Sequence, residues 1–254
     1  MEEEKKSRGG RLALLDGLRG LTLVSMILYH FAWDLVYIAG LPWAWYRGPA
    51  AFAWQQSICC TFILLSGFCV PFSKNLAKRG LTVFLCGALV SLVTVSFLDE
   101  DRVIFGVLTL IGSCMLLAHF LRPVWEKVPA AAGLAVSAVL FYMFRSVNDG
   151  FLRLWPGRTV LVSGVLYRGY FLTYLGFPDR TFFSTDYFSL LPWVFLFFTG
   201  LFLHRLIGTE KLRSMPLLRV EIPFFSMLGR HSLLIYMLHQ PVLYGLLMLF
   251  MRLH

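Results

Sequence analysis

"DGLRGLTLVSMILYHFAWDL", residues 16–35, is long and apolar enough to cross a membrane, yet it carries Arg19, His30 and Asp34. A charged side chain at the bilayer centre costs about 2.5–3.5 kcal/mol even on insertion scales, so each ionisable group at depth needs a physical reason. With Arg19 at the membrane border, the helix climbs roughly 16 Å before reaching His30, about half of a ~30 Å hydrocarbon core. His30 therefore lies near the midplane. Asp34 follows one turn later on the same face, where a carboxylate can accept the imidazole N–H, fix its tautomer and raise its basicity. Arg19 taken alone marks the start of a helix, paired with Asp16 at i, i+3.

The surroundings fit a bilayer. Of 254 residues 58% are hydrophobic and only 15% charged, and the mean hydropathy is +0.71, far from a soluble domain of this length. Apolar runs of spanning length fall near 18–38, 51–72, 81–98, 103–121, 128–144, 187–204 and 232–251. The sequence thus predicts an all-α, polytopic membrane helical bundle of about seven spans, organised as one integral-membrane domain over 1–254. No small-residue cleavage site follows the first span, so it is expected to stay in the mature chain.

Basic residues number 23 against 14 acidic ones. Orientation accounts for this better than nucleic-acid binding does: a cytoplasmic N-terminus puts fifteen Lys and Arg on the cytoplasmic side, Lys5, Lys6, Arg8 and Arg11 among them, and leaves eight arginines outside. To preserve that asymmetry, "TVLVSGVLYRGYFLTYLGF", 159–177, is expected to be a re-entrant or surface-lying helix and not a full crossing. All five cysteines lie inside spans, without disulfide or metal spacing, and so are assigned to packing. No metal site and no dinucleotide or P-loop glycine pattern is expected.

A second histidine repeats the pattern of the first. In "GRHSLLIYMLHQPVLYG", 229–245, the helix rises roughly 13 Å from Arg230 to His239. Ser232, Tyr236 and Gln240 recur at i, i+4, and His239 follows Tyr236 by three, making a polar stripe that should face other helices or water. His119, His204 and His231 fall at span ends, where capping or snorkelling explains them.

These blocks resemble the transmembrane acyltransferase superfamily. "RGLTLVSMILYH" on the first span, "FILLSGF" (62–68) with Ser66, and "SLLIYMLHQPV" on the last carry the likeness. It is closest to small bacterial proteins similar to the catalytic domain of heparan-alpha-glucosaminide N-acetyltransferase, through "LDGLRGLTLVSMILYHFAWDL", "FGVLTLIGSCMLL" (105–117), "STDYFSLLPWVFLFFTG" (184–200) and "GRHSLLIYMLHQPVL". The resemblance implies transfer of an acyl group from cytoplasmic acetyl-CoA, or another acyl-CoA, to a hydroxyl or amine. The acceptor would be an extracytoplasmic glycan, a lipid-linked sugar or a small molecule. It makes His30 the base or acyl relay, Arg19 a CoA anchor, and Asp186 the acidic residue before the "LLPW" helix. Asp34 and His239 complete the catalytic set; Arg79 and Arg230 could help hold CoA phosphates; Ser66, Thr109, Tyr236 and Gln240 supply further polar groups. Thr109 stands where a histidine is expected. Residues 35–46 contain no histidine, which favours the branch with Arg and His on the first span. A bacterial plasma membrane is the expected location, and a homodimer is left open.

Two other classes compete. A proton-coupled transporter would also place His30, Asp34 and His239 at the midplane, although no repeated halves are visible. A noncatalytic scaffold would leave those groups without purpose.

Overall fold

The computed structural model describes residues 12–98 and 101–253; Lys5, Lys6, Arg8 and Arg11 lie outside the described residues. Its main helices are α1 (Ala13–Tyr37), α2 (Pro49–Phe68), α3 (Leu76–Phe97), α4 (Val107–Phe120), α5 (Ala130–Phe144), α6 (Leu190–Ile207), α7 (Pro223–Arg230) and α8 (Ser232–Leu253). Two short strands, β1 (Phe151–Trp155) and β2 (Arg158–Leu161), form an antiparallel hairpin between α5 and α6. The chain divides into two compact units, one made of residues up to 62 together with 208 onward, the other of residues 63–207.

In the first unit α1 buries Leu15, Thr22, Leu23, Met26 and Asp34, positions that recur about every 3.6 residues and so share a face. Lipid tails are as apolar as leucine, so helices in a membrane gain by close packing of small residues. A Cβ on Gly20 would lie 1.9 Å from the Phe225 carbonyl oxygen, and one on Gly229 would lie 1.8 Å from the Asp16 carbonyl oxygen. The backbones of α1 and α7 therefore touch. Ser226 Oγ adds a 3.3 Å bond to the Ala13 carbonyl. Since α8 follows α7 after only His231, this contact sets the register in which α8 runs beside α1: Gly229 lies opposite Gly20, and ten residues later His239 lies opposite His30. The two helices rise in parallel.

In the second unit α2 and α6 cross in the same way, with Gly67 against the Phe197 carbonyl and Gly200 against that of Leu64. His204 closes this crossing: its Nδ1 lies 2.8 Å from the carbonyl of Phe68, the last residue of α2. Arg205 binds the Trp125, Glu126 and Val128 carbonyls and packs its guanidinium 5.6 Å from the Trp125 and Phe202 rings. Both groups at the end of α6 are thus satisfied by helix ends and loops.

Two sequence expectations change. Among the described residues six helices are long and apolar enough to cross a membrane, and the seventh, α4, has 14 residues. That length spans only about 21 Å, the size of a buried core helix, and ten of its residues are buried. Its start is fixed at Val107 because 102–106 is strapped to the loop before α6. Ile104 N–H donates to Ser184 Oγ (2.9 Å) and Phe188 N–H to the Phe105 carbonyl (2.8 Å), while Phe105 holds φ 57°.

Residues 159–177, expected as one re-entrant or surface helix, instead contain β2, a 3-10 turn at Gly164–Leu166 and a short helix at Tyr170–Leu175. The β-branched Thr159 and Val160 of β2 pair with Arg153 and Leu152 of β1, and the turn needs Gly157, at φ 83°, to reverse the chain. Asp179 then gathers the N–H groups of Thr181 and Gly169 (2.9 and 2.8 Å), which hold its carboxyl down at about 2.

Candidate functional site

The first unit brings five of the expected site residues into one cluster. The His30 and His239 rings lie 4.9 Å apart, centroid to centroid, tilted by 58°. One turn further along α1, Gln240 Nε2 donates to Asp34 Oδ1 at 2.7 Å. The Tyr236 ring stands 5.3 Å from His239 and packs on the Leu23, Met26 and Ile58 core. Two contacts, His30 with His239 and Asp34 with Gln240, thus cross-link α1 to α8.

The i, i+4 spacing predicts that Asp34 accepts from His30. In the structure its Oδ1 takes the Gln240 amide, and the ring facing His30 across the helices is that of His239. Asp34 is fully buried, so an amide donor is what makes a carboxyl group tolerable there.

Pro241 lies inside α8 and has no N–H to give the Met237 carbonyl. Two residues earlier on the same helix, His239 Nδ1 lies 2.6 Å from the Tyr236 carbonyl. A carbonyl only accepts, so Nδ1 carries the proton and Nε2 keeps its lone pair. Among the described residues Nε2 has no hydrogen-bond partner, although it is buried. His239 is 9% exposed, whereas His30 is half-buried.

An aromatic path leads from His30 to the chain connecting α1 and α2. Tyr29 meets His30 edge-on at 5.8 Å and Trp54 at 5.3 Å; Trp54 stacks with Trp45 at 6.3 Å, and Trp45 with Trp43 at 6.0 Å. Trp43 and Trp45 are exposed. Tyr46 donates to the Tyr29 carbonyl (2.9 Å) and Trp54 Nε1 to Ser25 Oγ (2.8 Å). Burial, with that bond second, keeps the Tyr46 phenol protonated well above its usual value. Sequence reasoning misses Tyr29 and Trp54; the only available signal is that Tyr29 precedes His30.

The cation at the start of α1, Arg19, donates to Asp16 at 2.9 Å, with its side chain 20% exposed. Arg230 ends α7 and meets Glu221 at 3.5 Å. The remaining residues belong to the second unit. Arg79 is exposed in the first turn of α3, and Ser66 is half-buried near the end of α2. Thr109 is buried where α4 crosses α3: a Cβ on Gly87 would lie 2.6 Å from its Oγ1. That crossing is too close for an imidazole, which gives a steric reason for the hydroxyl at this position.

Asp186 sits at the N-terminus of α4, where its carboxylate accepts the Val107 N–H and lies beside Gly106. It supplies from a distant loop the cap that Gly106 lacks, at the end of the helix that favours negative charge. Burial pushes its carboxyl up to about 6, against the Val107 N–H, which pulls it down.

Neither a curated protein nor a solved structure matches the chain. A sequence-family model described as "Heparan-alpha-glucosaminide N-acetyltransferase, catalytic" matches residues 11–241. With nearly its whole length matched and its apolar helices on the page, this membrane chain belongs to the heparan-alpha-glucosaminide N-acetyltransferase catalytic family of acetyltransferases.

Proposed function

We propose that the protein moves an acetyl group from cytoplasmic acetyl-CoA to a hydroxyl or amine on an extracytoplasmic glycan or lipid-linked sugar. It would act in a bacterial plasma membrane as a single integral-membrane domain with a cytoplasmic N-terminus. One observation carries the reading: His30 and His239 meet 4.9 Å apart about ten residues above Arg19 and Arg230, on parallel helices. Arginines at one level suit the CoA phosphates, and an imidazole at mid-depth suits a reaction joining a donor from one face to an acceptor from the other. An acceptor O–H or N–H must lose its proton as it attacks the thioester carbonyl, and a neutral imidazole meets that need as base, or as acyl relay. The run of rings from Trp43 through Trp45 and Trp54 to Tyr29, stacked as far as Trp54 and edge-on to Tyr29, offers flat apolar faces of the kind that pack on the C–H faces of a sugar.

The direct test is calorimetric titration of acetyl-CoA into the detergent-purified chain, with His30→Ala in parallel. Saturable binding that His30→Ala retains, while acetyl transfer falls at least a hundredfold, supports the reading. No binding at millimolar acetyl-CoA by a folded protein would sink it and turn attention to proton-coupled transport through the same buried groups.

A further inference from the structure

Resting on the acetyltransferase reading, we propose that His30 works as half of an imidazole dyad: His239 is the group behind it that receives its proton. Three observations converge. The His239 Nδ1 proton is committed to the Tyr236 carbonyl at 2.6 Å, so the ring is locked in the tautomer with a bare Nε2. That nitrogen is buried without a partner among the described residues, an arrangement that is costly for a polar atom and is relieved by a donor. The His30 ring, which can carry an exchangeable proton, lies 4.9 Å from the His239 ring, centroid to centroid, a separation that allows facing ring nitrogens to come within hydrogen-bond reach. Meanwhile Asp34 Oδ1 is engaged by Gln240.

His30 is half-buried and His239 is buried, and the acceptor is accordingly assigned to His30. In the transfer, the acceptor heteroatom bonds to the thioester carbonyl carbon as its proton passes to one nitrogen of His30, and the proton on the other nitrogen of His30 moves to His239 Nε2. Collapse of the adduct breaks the C–S bond. The protons then return in reverse order, and the departing CoA sulfur leaves as the thiol. Atoms balance, both rings end neutral, and the Tyr236 carbonyl stabilises the transient His239 imidazolium through Nδ1–H. His239 acts through His30, so it is a positioning and proton-holding residue.

The test has one arm that needs no acceptor. In the full chain, labelled with 15N-histidine in detergent and assigned by loss of signal in His239→Gln, His239 should show a protonated Nδ1 and a bare Nε2. The opposite tautomer overturns the proposal. The second arm follows thiol release from acetyl-CoA with glucosamine as the probe acceptor. The Gln amide preserves volume but is not basic, so His239→Gln should lower kcat about a hundredfold, with KM and Kd for acetyl-CoA within threefold of the parent. A His239→Gln protein whose kcat stays within threefold overturns the dyad. Loss of acetyl-CoA binding by the parent chain would overturn acetyl transfer instead, and the tautomer spectrum still decides whether the two imidazoles are paired as proposed.

Discussion

Gln240 Nε2 lies 2.7 Å from Oδ1 of a fully buried Asp34, joining two residues that stand 206 positions apart in sequence. Without that amide, Asp34 loses a donor where water cannot replace it. Gln240→Leu should therefore destabilise the protein by about 1–3 kcal/mol, read as an earlier unfolding transition in detergent by tryptophan fluorescence. Asp34→Asn should be milder, since the side-chain amide keeps an oxygen that can accept the Gln240 N–H. A Gln240→Leu chain as stable as the parent would mean the bond contributes nothing net.

The crossing of α1 and α7 leaves no room for a methyl group, with Gly20 facing the Phe225 carbonyl and Gly229 facing that of Asp16. The contact is between backbones, so no side chain can swing aside. Gly20→Ala or Gly229→Ala must push the helices apart, at a cost of about 1–3 kcal/mol or more. The displacement should also separate His30 from His239. Loss of monodisperse protein, or of acetyl transfer in protein that survives, is the expected result in size-exclusion and activity measurements.

Two substitutions distinguish a structural from a binding role for Arg19. Its bond to Asp16 is a partly exposed i, i+3 pair, worth only a few tenths of a kcal/mol to about 1. If Arg19 also anchors CoA phosphate, Arg19→Ala should weaken acetyl-CoA binding about tenfold by calorimetry, and Asp16→Ala should leave the affinity intact. An unchanged affinity in folded Arg19→Ala protein would confine Arg19 to a structural role.

The aromatic path makes a separate prediction about the acceptor. Trp45 is exposed and stacks on Trp54, which touches Tyr29 beside His30. Trp45→Ala should raise KM for a sugar acceptor by about tenfold, in line with the worth of ring stacking, and leave Kd for acetyl-CoA unchanged. Equal KM values for parent and variant would reduce these rings to anchors at the membrane surface.

The all-α membrane fold was legible because spanning length and apolar composition are properties of single segments. Depth was legible too: counting from Arg19 and Arg230 sets His30 and His239 at similar heights, and the parallel register of α1 and α8 brings their rings together. What failed depends on partners remote in sequence. An i, i+4 spacing relates Asp34 to His30 but gives no sign that Gln240, on another helix, donates to the same carboxyl group. The 103–121 run has spanning hydropathy, yet its first residues are tied to 184–188, leaving the shorter α4. For 159–177 apolar content alone suggested a helix, while Gly157 turns the chain just before the segment and Gly169 and Gly176 interrupt it, all at positive φ. The role of Asp186 was legible only as an acidic position, since the helix it caps begins 79 residues earlier.

That cap gives a pH dependence whose sign follows from the direction in which burial moves the carboxyl. Asp186 is held at about 6 in the folded protein, above the ordinary 3.8, with burial the larger cause. A carboxyl group raised on folding binds its proton more tightly in the folded chain, so its contribution to stability is complete below about 3.8 and is lost as pH rises through about 6. A tenfold change in proton affinity corresponds to about 1.4 kcal/mol; partial exposure of Asp186 discounts the whole effect to about 1–2 kcal/mol. The unfolding temperature should accordingly drift downward as pH rises from about 4 to about 6.5. In Asp186→Asn that drift should disappear, because the amide oxygen still accepts the Val107 N–H but does not titrate. Asp186→Ala should lose both, lying about 1 kcal/mol below Asp186→Asn at every pH through the missing cap. If all three chains showed the same pH profile, ionisation of Asp186 would have no part in holding α4.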